Sequence, residues 1–85
     1  MTDAGRPHAG DLVFEYPDAR AARLVADAVA VEAGEIEGDR TAARVCREDA
    51  TLRVAVRADD LVALRAGLNT WTSLVEVAER VAGAR

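Results

Sequence analysis

Few residues in this 85-residue chain are of a type and at a spacing that could do chemistry. His8 is the only histidine, so a single chain cannot assemble a histidine-activated nucleophile or a histidine metal cluster. Asp59 and Asp60 are adjacent carboxylates, but they stand directly before an apolar helical run. At that place a carboxylate caps the helix and interacts favourably with its dipole, so we interpret the pair as a helix start.

The other reactive side chains also lack partners in the sequence. Cys46 is the only cysteine, which rules out an internal disulfide, and no second zinc ligand lies nearby. The segment GEIEG (34–38) is not a phosphate-binding glycine loop. Four acidic residues cluster without the alternating ligand pattern of a calcium loop, and we expect them in a solvated loop: Glu32, Glu35, Glu37 and Asp39. The sequence therefore predicts a protein that is not an enzyme and holds no metal or cofactor.

Composition predicts one folded domain that gains from association. Half of the residues are apolar, none of the apolar runs is long enough to span a bilayer, and no signal segment begins the chain, so we expect a cytoplasmic protein without membrane contact. The formal charge of -4 argues against wholesale capture of nucleic acid. All 11 basic residues are arginine, a bias that reflects a GC-rich genome rather than recognition and that, with the acidity, would also suit a salt-adapted organism. A chain this short lies near the lower size limit for a single core, which favours oligomerisation.

The order of secondary structure follows from periodicity and turn signals. A tail of residues 1–10 should precede a single domain at 11–85. Alternation predicts strands, Asp18 and Asp59 or Asp60 are helix N-caps, and Gly34 and Gly83 are helix stops. The predicted elements are a strand at 12–16, a helix from Ala19 up to Gly34, a hairpin of strands at 41–48 and 51–58, and a second helix that follows Asp59 or Asp60 and closes at Gly83. This β-α-β-β-α order predicts an α+β fold, with a three-stranded, mainly antiparallel sheet and both helices on one face.

Both helices carry more apolar surface than a sheet can cover. At about 100° per residue, the apolar residues of the second helix cover roughly 220° of its circumference, whereas a core-facing helix needs little more than about 100°. They form two sets: Leu61, Leu64, Leu68, Trp71 and Val75, then Ala63, Ala66, Leu74, Val77 and Val81. The remaining polar residues form a solvated strip: Arg65, Asn69, Thr72, Ser73, Glu76, Glu79 and Arg80. Small residues at Ala63, Ala66, Gly67 and Thr70 would let another helix approach closely. We therefore predict a partner groove on the helices, although contact between the two helices would use part of this surface.

A second hypothesis concerns the opposite side of the sheet. If the strand registers are right, Arg44, Arg53 and Arg57 lie on the sheet face away from the helices. They would contact RNA phosphates once the chain is docked in a larger assembly, and would make the chain a small RNA-binding module. An ordinary solvated face with Glu15 as an ion-pair partner is the alternative, and the absence of an aromatic platform excludes base stacking there.

Two stretches resemble a known family. The run VRADDLVALRAGLNTWTSLVEVAERV (56–81) has an acidic helix start, Leu64-Arg65-Ala66, and Asn69 followed by a small hydroxyl residue and an aromatic. FEYPDARAARLVADAV (14–29) has a strand and a helix separated by a proline turn. Together they resemble the smallest core subunit of the KEOPS complex, the polarised-growth and chromatin-associated controller family related to CTAG antigens. The resemblance covers residues 12–82. Gly67, and Thr70 where serine is more usual, depart from the pattern.

The resemblance implies a non-catalytic subunit that forms homodimers through sheet edges. It would hold the sugar-kinase-like catalytic subunit of KEOPS through its two helices, and the complex would transfer a threonylcarbamoyl group to tRNA. A second small subunit in place of one copy is left open, and tRNA would be reached mainly through the complex. The side chains that we expect to bind the partner lie on both helices: Leu24, Ala28, Leu64, Leu68, Trp71, Leu74 and Val75.

Overall fold

The computed structural model describes residues 5–36 and 40–83 of the chain. Its elements are β1 (His8–Glu15), α1 (Ala19–Ile36), β2 (Thr41–Glu48), β3 (Thr51–Ala58) and α2 (Leu61–Ala82). The predicted β-α-β-β-α order and the α+β class are confirmed, because the described part of the chain forms one antiparallel three-stranded sheet and two helices.

The sheet has the order β1-β3-β2, so β3 is central and β1 and β2 are both edge strands. Every second residue of β3 points into the core, and Leu52, Val54 and Val56 have no solvent exposure. The hairpin between β2 and β3 turns at Asp49, whose φ of 54° lies in the left-handed region that aspartate tolerates better than most residues. The alternation that the sequence shows in β3 therefore fixes which face of the sheet is buried.

The helices begin and end at the predicted residues in three of four cases. Asp18 Oδ1 accepts the backbone N–H of Ala21 at 2.8 Å, and Asp60 Oδ1 accepts that of Ala63 at 2.8 Å. Gly83 ends α2 with a φ of 68°. Gly34 does not end α1, which continues to Ile36. A glycine inside a helix costs only about 1 kcal/mol relative to alanine, which is too little to stop a helix by itself.

Two further predictions about chain segments need correction, and each falls partly on residues outside the described ranges. β1 begins at His8, which pairs with Ala58, so the predicted tail is too long and its last three residues belong to the sheet. Residues 1–4 of that tail lie outside the described residues. Two of the four acidic residues expected in a solvated loop, Glu32 and Glu35, belong to α1 instead. The other two, at positions 37 and 39, lie outside the described residues.

Both helices pack on the same side of the sheet, α1 over β2 and β3, and α2 over β3 and β1. Trp71 and Val75 lie in the core, with 4% and 0% of their surface exposed. Gly67 also faces the sheet, since a Cβ built there would approach Val56 Cγ1 to 3.2 Å. The prediction that Gly67 admits a partner helix is therefore wrong: its missing side chain lets α2 approach its own sheet.

One buried polar contact joins the end of β1 to α2. Glu79, which the helical pattern assigned to the solvated strip, is only 4% exposed, and its Oε2 accepts a 2.6 Å hydrogen bond from the Tyr16 hydroxyl. The backbone N–H of Tyr16 donates to Ala50 O at 2.9 Å, which fixes this residue beside the hairpin. A buried carboxylate needs such a donor, because its desolvation would otherwise be costly.

The start of α2 makes stability depend on pH. Asp60 also contacts Arg40, and the hydrogen bond from the Ala63 N–H, followed by that from Arg40, holds the pKa of the Asp60 carboxyl below its ordinary value. A depressed folded-state pKa stabilises the fold above the unfolded pKa of about 3.9, and this contribution is lost as the pH falls through the folded value.

We therefore expect the urea midpoint of the natural chain to fall more steeply than that of Asp60→Asn between about pH 5 and pH 2. Asparagine keeps an acceptor for the cap but does not titrate, so it isolates the carboxylate. Urea unfolding at a series of pH values measures both midpoints, and parallel curves would contradict this role of Asp60.

Candidate functional site

A groove lies between the two helices on the side away from the sheet. Its lining is entirely aliphatic, and we call it the α1–α2 groove: Ala28, Leu74, Val77, Ala78 and Val81. Its volume of about 330 Å³ is at the lower end for a small-molecule pocket. Such pockets orient ligands with a few placed polar groups, and this lining has none. The groove is therefore suited to apolar side chains from a packed helix.

The exposed wall of this groove follows helical spacing along α2. Six residues of α2 fall within a sector of about 80° at about 100° per residue: Ala63, Ala66, Thr70, Leu74, Val77 and Val81. Of these, Leu74, Val77 and Val81 line the α1–α2 groove, whereas Ala63 is buried. Val77 is 45% exposed and Val81 is 78% exposed. On α1, Val31 is also largely exposed and lies three residues beyond Ala28. Exposed valines at this spacing leave apolar surface that one copy of the chain does not cover.

The structure divides the predicted partner-binding residues into three groups. Ala28 and Leu74 line the α1–α2 groove, and the half-buried Leu24 lies one helical turn before Ala28. Leu64 and Leu68 lie on the other flank of α2, where they cover Gly10 of β1. Trp71 and Val75 belong to the chain's own core, because they point at the sheet between these two flanks. Their assignment to a partner surface is corrected, since neither presents surface to a partner in this fold.

Among the described residues, six exposed large apolar residues were absent from the predicted set: Val13, Val31, Leu61, Val62, Val77 and Val81. Val77 and Val81 already stand in the second apolar set of α2, and the signal that identifies them is their spacing from Leu74. Val62 lies instead in line with Asn69, Ser73 and Arg80, on the polar side of the helix. It is 74% exposed and is therefore an isolated surface valine.

The outer face of the sheet, opposite the helices, carries the three predicted arginines. The strand registers put Arg44 across from Ala55, Arg53 across from Cys46, and Arg57 across from Ala42, which confirms that they share this face. Three carboxylates lie on the same face: Asp11, Glu15 and Glu48. Equal numbers of opposite charges leave no basic footprint there, which weakens the RNA-binding hypothesis.

The described residues contain neither a metal-binding cluster nor a helix that could span a membrane. Within residues 5–36 and 40–83, no group of three or more histidine, cysteine or acidic side chains is close enough to hold a metal ion. His8 lies in β1 and pairs with Ala58 of β3. Cys46 is exposed on the outer sheet face. Neither of the two helices, over the part of the chain that is described, is long and apolar enough to cross a membrane.

Comparison with known proteins identifies a family whose model spans the β-α-β-β-α fold described above. No curated protein matches the chain. A family model described as Pcc1, transcription factor Pcc1, matches residues 10–83, which is most of the chain and nearly the whole described fold. The family supplies a non-catalytic KEOPS subunit, associated with transcription and with tRNA modification. The matched range and the β-α-β-β-α fold together lead to one conclusion: this chain belongs to the Pcc1 family, the family of the KEOPS Pcc1 subunit.

Proposed function

We propose that this chain is a non-catalytic scaffold subunit of the KEOPS complex that forms a homodimer and binds the sugar-kinase-like catalytic subunit through its two helices. The complex would transfer a threonylcarbamoyl group to tRNA in the cytoplasm, and the chemistry would belong to the catalytic subunit. A second small subunit would be able to take the place of one copy. This chain needs no cofactor of its own for that role.

The single observation that carries the proposal is the α1–α2 groove with its exposed valines. Two helices of a partner packed against α1 and α2 would bury Val77 and Val81, together with Leu74 and Ala28. Fully burying an exposed valine contributes about 1.5–3 kcal/mol, and Val81 is 78% exposed and Val77 45% exposed, so these two side chains supply a gross gain of about 2–4 kcal/mol. The apolar side chains of the partner that pack on them would add to this gain, which must exceed the costs of association.

Titration of the purified chain with the sugar-kinase-like subunit from the same organism tests the proposal. We expect a saturable complex in calorimetry, with a negative heat-capacity change because apolar surface is buried. Absence of binding at micromolar concentrations would contradict the proposal. Binding of tRNA by the isolated chain, with a steep dependence on salt, would instead revive the hypothesis that Arg44, Arg53 and Arg57 form a phosphate-binding surface.

A further inference from the structure

The outward side of α1 mixes charged and apolar residues in one line. Four residues fall within a sector of about 60° at about 100° per residue, and we call them the α1 stripe: Arg20, Leu24, Asp27 and Val31. The opposite side of the helix faces the sheet, where Ala22, Val25 and Val29 have no solvent exposure. Ala28, which lines the α1–α2 groove, lies about 40° from Leu24 around the helix. A helix that packs in the groove therefore meets the α1 stripe as well.

The two charges of the α1 stripe are exposed, and the fold does not use them. Arg20 and Asp27 form no ion pair with another residue of 5–36 or 40–83. Arg23 stands four residues before Asp27, which is the spacing of a helical ion pair, yet these two side chains do not pair either. Arg20 is the second residue of α1, where the helix dipole disfavours a cation. Interactions within the described ranges therefore give neither charge a stabilising role.

From this pattern we infer that Asp27 and Arg20 set the register and the direction of the partner helix that packs along α1. That helix would carry a basic residue opposite Asp27, between apolar residues that cover Leu24 and Val31. It would carry an acidic residue about two turns away, opposite Arg20. The inference deepens the proposed function, because it rests on binding through the two helices and states the chemistry of the helix that binds.

The spacing of the two charges makes the contact directional. Arg20 and Asp27 lie seven residues apart, which is about 10 Å along the helix. A partner helix laid in the opposite direction would bring its basic residue beside Arg20 and its acidic residue beside Asp27, so both contacts would be repulsive. A shift of one turn would leave Asp27 in the interface without an opposite charge, which is strongly unfavourable. A single polar residue in an apolar seam between helices fixes their register in the same way.

Asp27 should contribute more to this selection than Arg20. Its short side chain lies between Leu24, which is half-buried, and Val31, which is 73% exposed. A helix that covers these two apolar side chains would also remove water from the carboxylate, which then needs a donor from the partner. Lysine and arginine have side chains long enough to supply one. Arg20 lies in the first turn of α1, at the rim of the contact, where water screens its charge.

The test is calorimetry of charge-reversal variants with the sugar-kinase-like subunit from the same organism, at fixed, moderate salt. Asp27→Arg should raise the dissociation constant at least about tenfold, because two cations then meet in a desolvated contact. The matched control is Glu48→Arg, which makes the same change of charge at an exposed position on the outer face of the sheet. It should change the affinity by less than about twofold.

Arg20→Glu gives a readout in which stability and binding move in opposite directions. Replacing a cation by a carboxylate in the first turn of α1 should raise the urea midpoint of the chain, because the helix dipole favours an anion there. The same variant should bind the partner at least about fivefold more weakly. Arg23→Glu, on the side of the α1 stripe away from Ala28, is its control and should change the affinity by less than about twofold.

A reversal scan of the partner identifies the residue opposite Asp27. Each exposed lysine and arginine of the sugar-kinase-like subunit is replaced by aspartate in turn, and one replacement should bind Asp27→Arg at least about tenfold more tightly than the natural subunit does. Unchanged affinity of Asp27→Arg for the natural subunit, or a scan without a rescuing replacement, would overturn the inference and leave binding through the helices standing. A natural chain that does not bind the subunit would overturn the proposed function as well.

Discussion

Val81→Asp is expected to abolish binding of the sugar-kinase-like subunit while the chain stays folded. Val81 is 78% exposed and lies at the open end of the α1–α2 groove, so the fold does not depend on it. In the complex that we propose, the same position is buried among aliphatic side chains, where an unpaired carboxylate is strongly unfavourable. We expect the dissociation constant measured by calorimetry to rise at least about a hundredfold.

The matched control is Val62→Asp, which makes the same substitution in the same helix at a side chain that is 74% exposed. Because Val62 lies on the polar side of α2, its substitution should change affinity by less than about threefold. Asp at position 81 also opposes the helix dipole, at a cost of about 0.3–1 kcal/mol. Val77→Asp lies one turn earlier in the same groove, farther from the helix end, so the helix dipole affects it less. It should weaken binding as much as Val81→Asp does. Equal affinities for the Val62 and Val81 variants would refute the groove as the binding surface.

Trp71→Ala is expected to remove most of the stability of the fold. Trp71 is 4% exposed at the centre of the interface between α2 and the sheet, and truncating a buried tryptophan typically costs about 3–5 kcal/mol. A domain of this size has little more than about 5 kcal/mol to lose. Chemical unfolding followed by circular dichroism should show a midpoint near zero denaturant. The protein concentration is matched to that of the natural chain, because the homodimer that we propose would add to stability.

Two comparisons make the Trp71 result specific. Trp71→Phe keeps an aromatic ring in the core and should lose less stability than Trp71→Ala. Val62→Ala removes an apolar side chain from the surface of the same helix and should change the free energy of unfolding by less than about 0.5 kcal/mol. A Trp71→Ala variant that is stable but does not bind the partner would show that Trp71 belongs to the partner surface, as its position in the sequence predicted.

Much of the fold was predictable because local signals agree with one another. The alternation of Leu52, Val54 and Val56 identifies both the central strand and its buried face. Asp60 caps the start of α2 with its side-chain oxygen, and Gly83 ends the helix in the left-handed backbone conformation. The start of β1 was missed because Ala9 and Gly10 have low strand propensity and are held by pairing with β3, which is a tertiary effect. Glu79 was misplaced for a similar reason, since only the folded chain brings Tyr16 to it.

The excess of apolar surface on the helices was predicted, but the residues that remain exposed in the fold were predicted only in part. Helical spacing shows that α2 has two apolar sets, yet it does not show which one faces the sheet. Trp71 and Val75 pack against the sheet because they are large and central in α2, and Gly67 lets the helix approach the sheet on that side. Leu74, Val77 and Val81 then remain beside α1. The division between core and surface depends on the rotation of α2 about its axis, which packing determines.

The most direct test of the central claim is tRNA threonylcarbamoylation by a reconstituted complex with and without this chain. Our account predicts that the chain alone has no activity, and that adding it to the sugar-kinase-like subunit and its other partners raises the rate of modification. It predicts that Val81→Asp fails to raise that rate whereas Val62→Asp succeeds. Full activity without the chain, or equal rescue by both variants, would contradict the account.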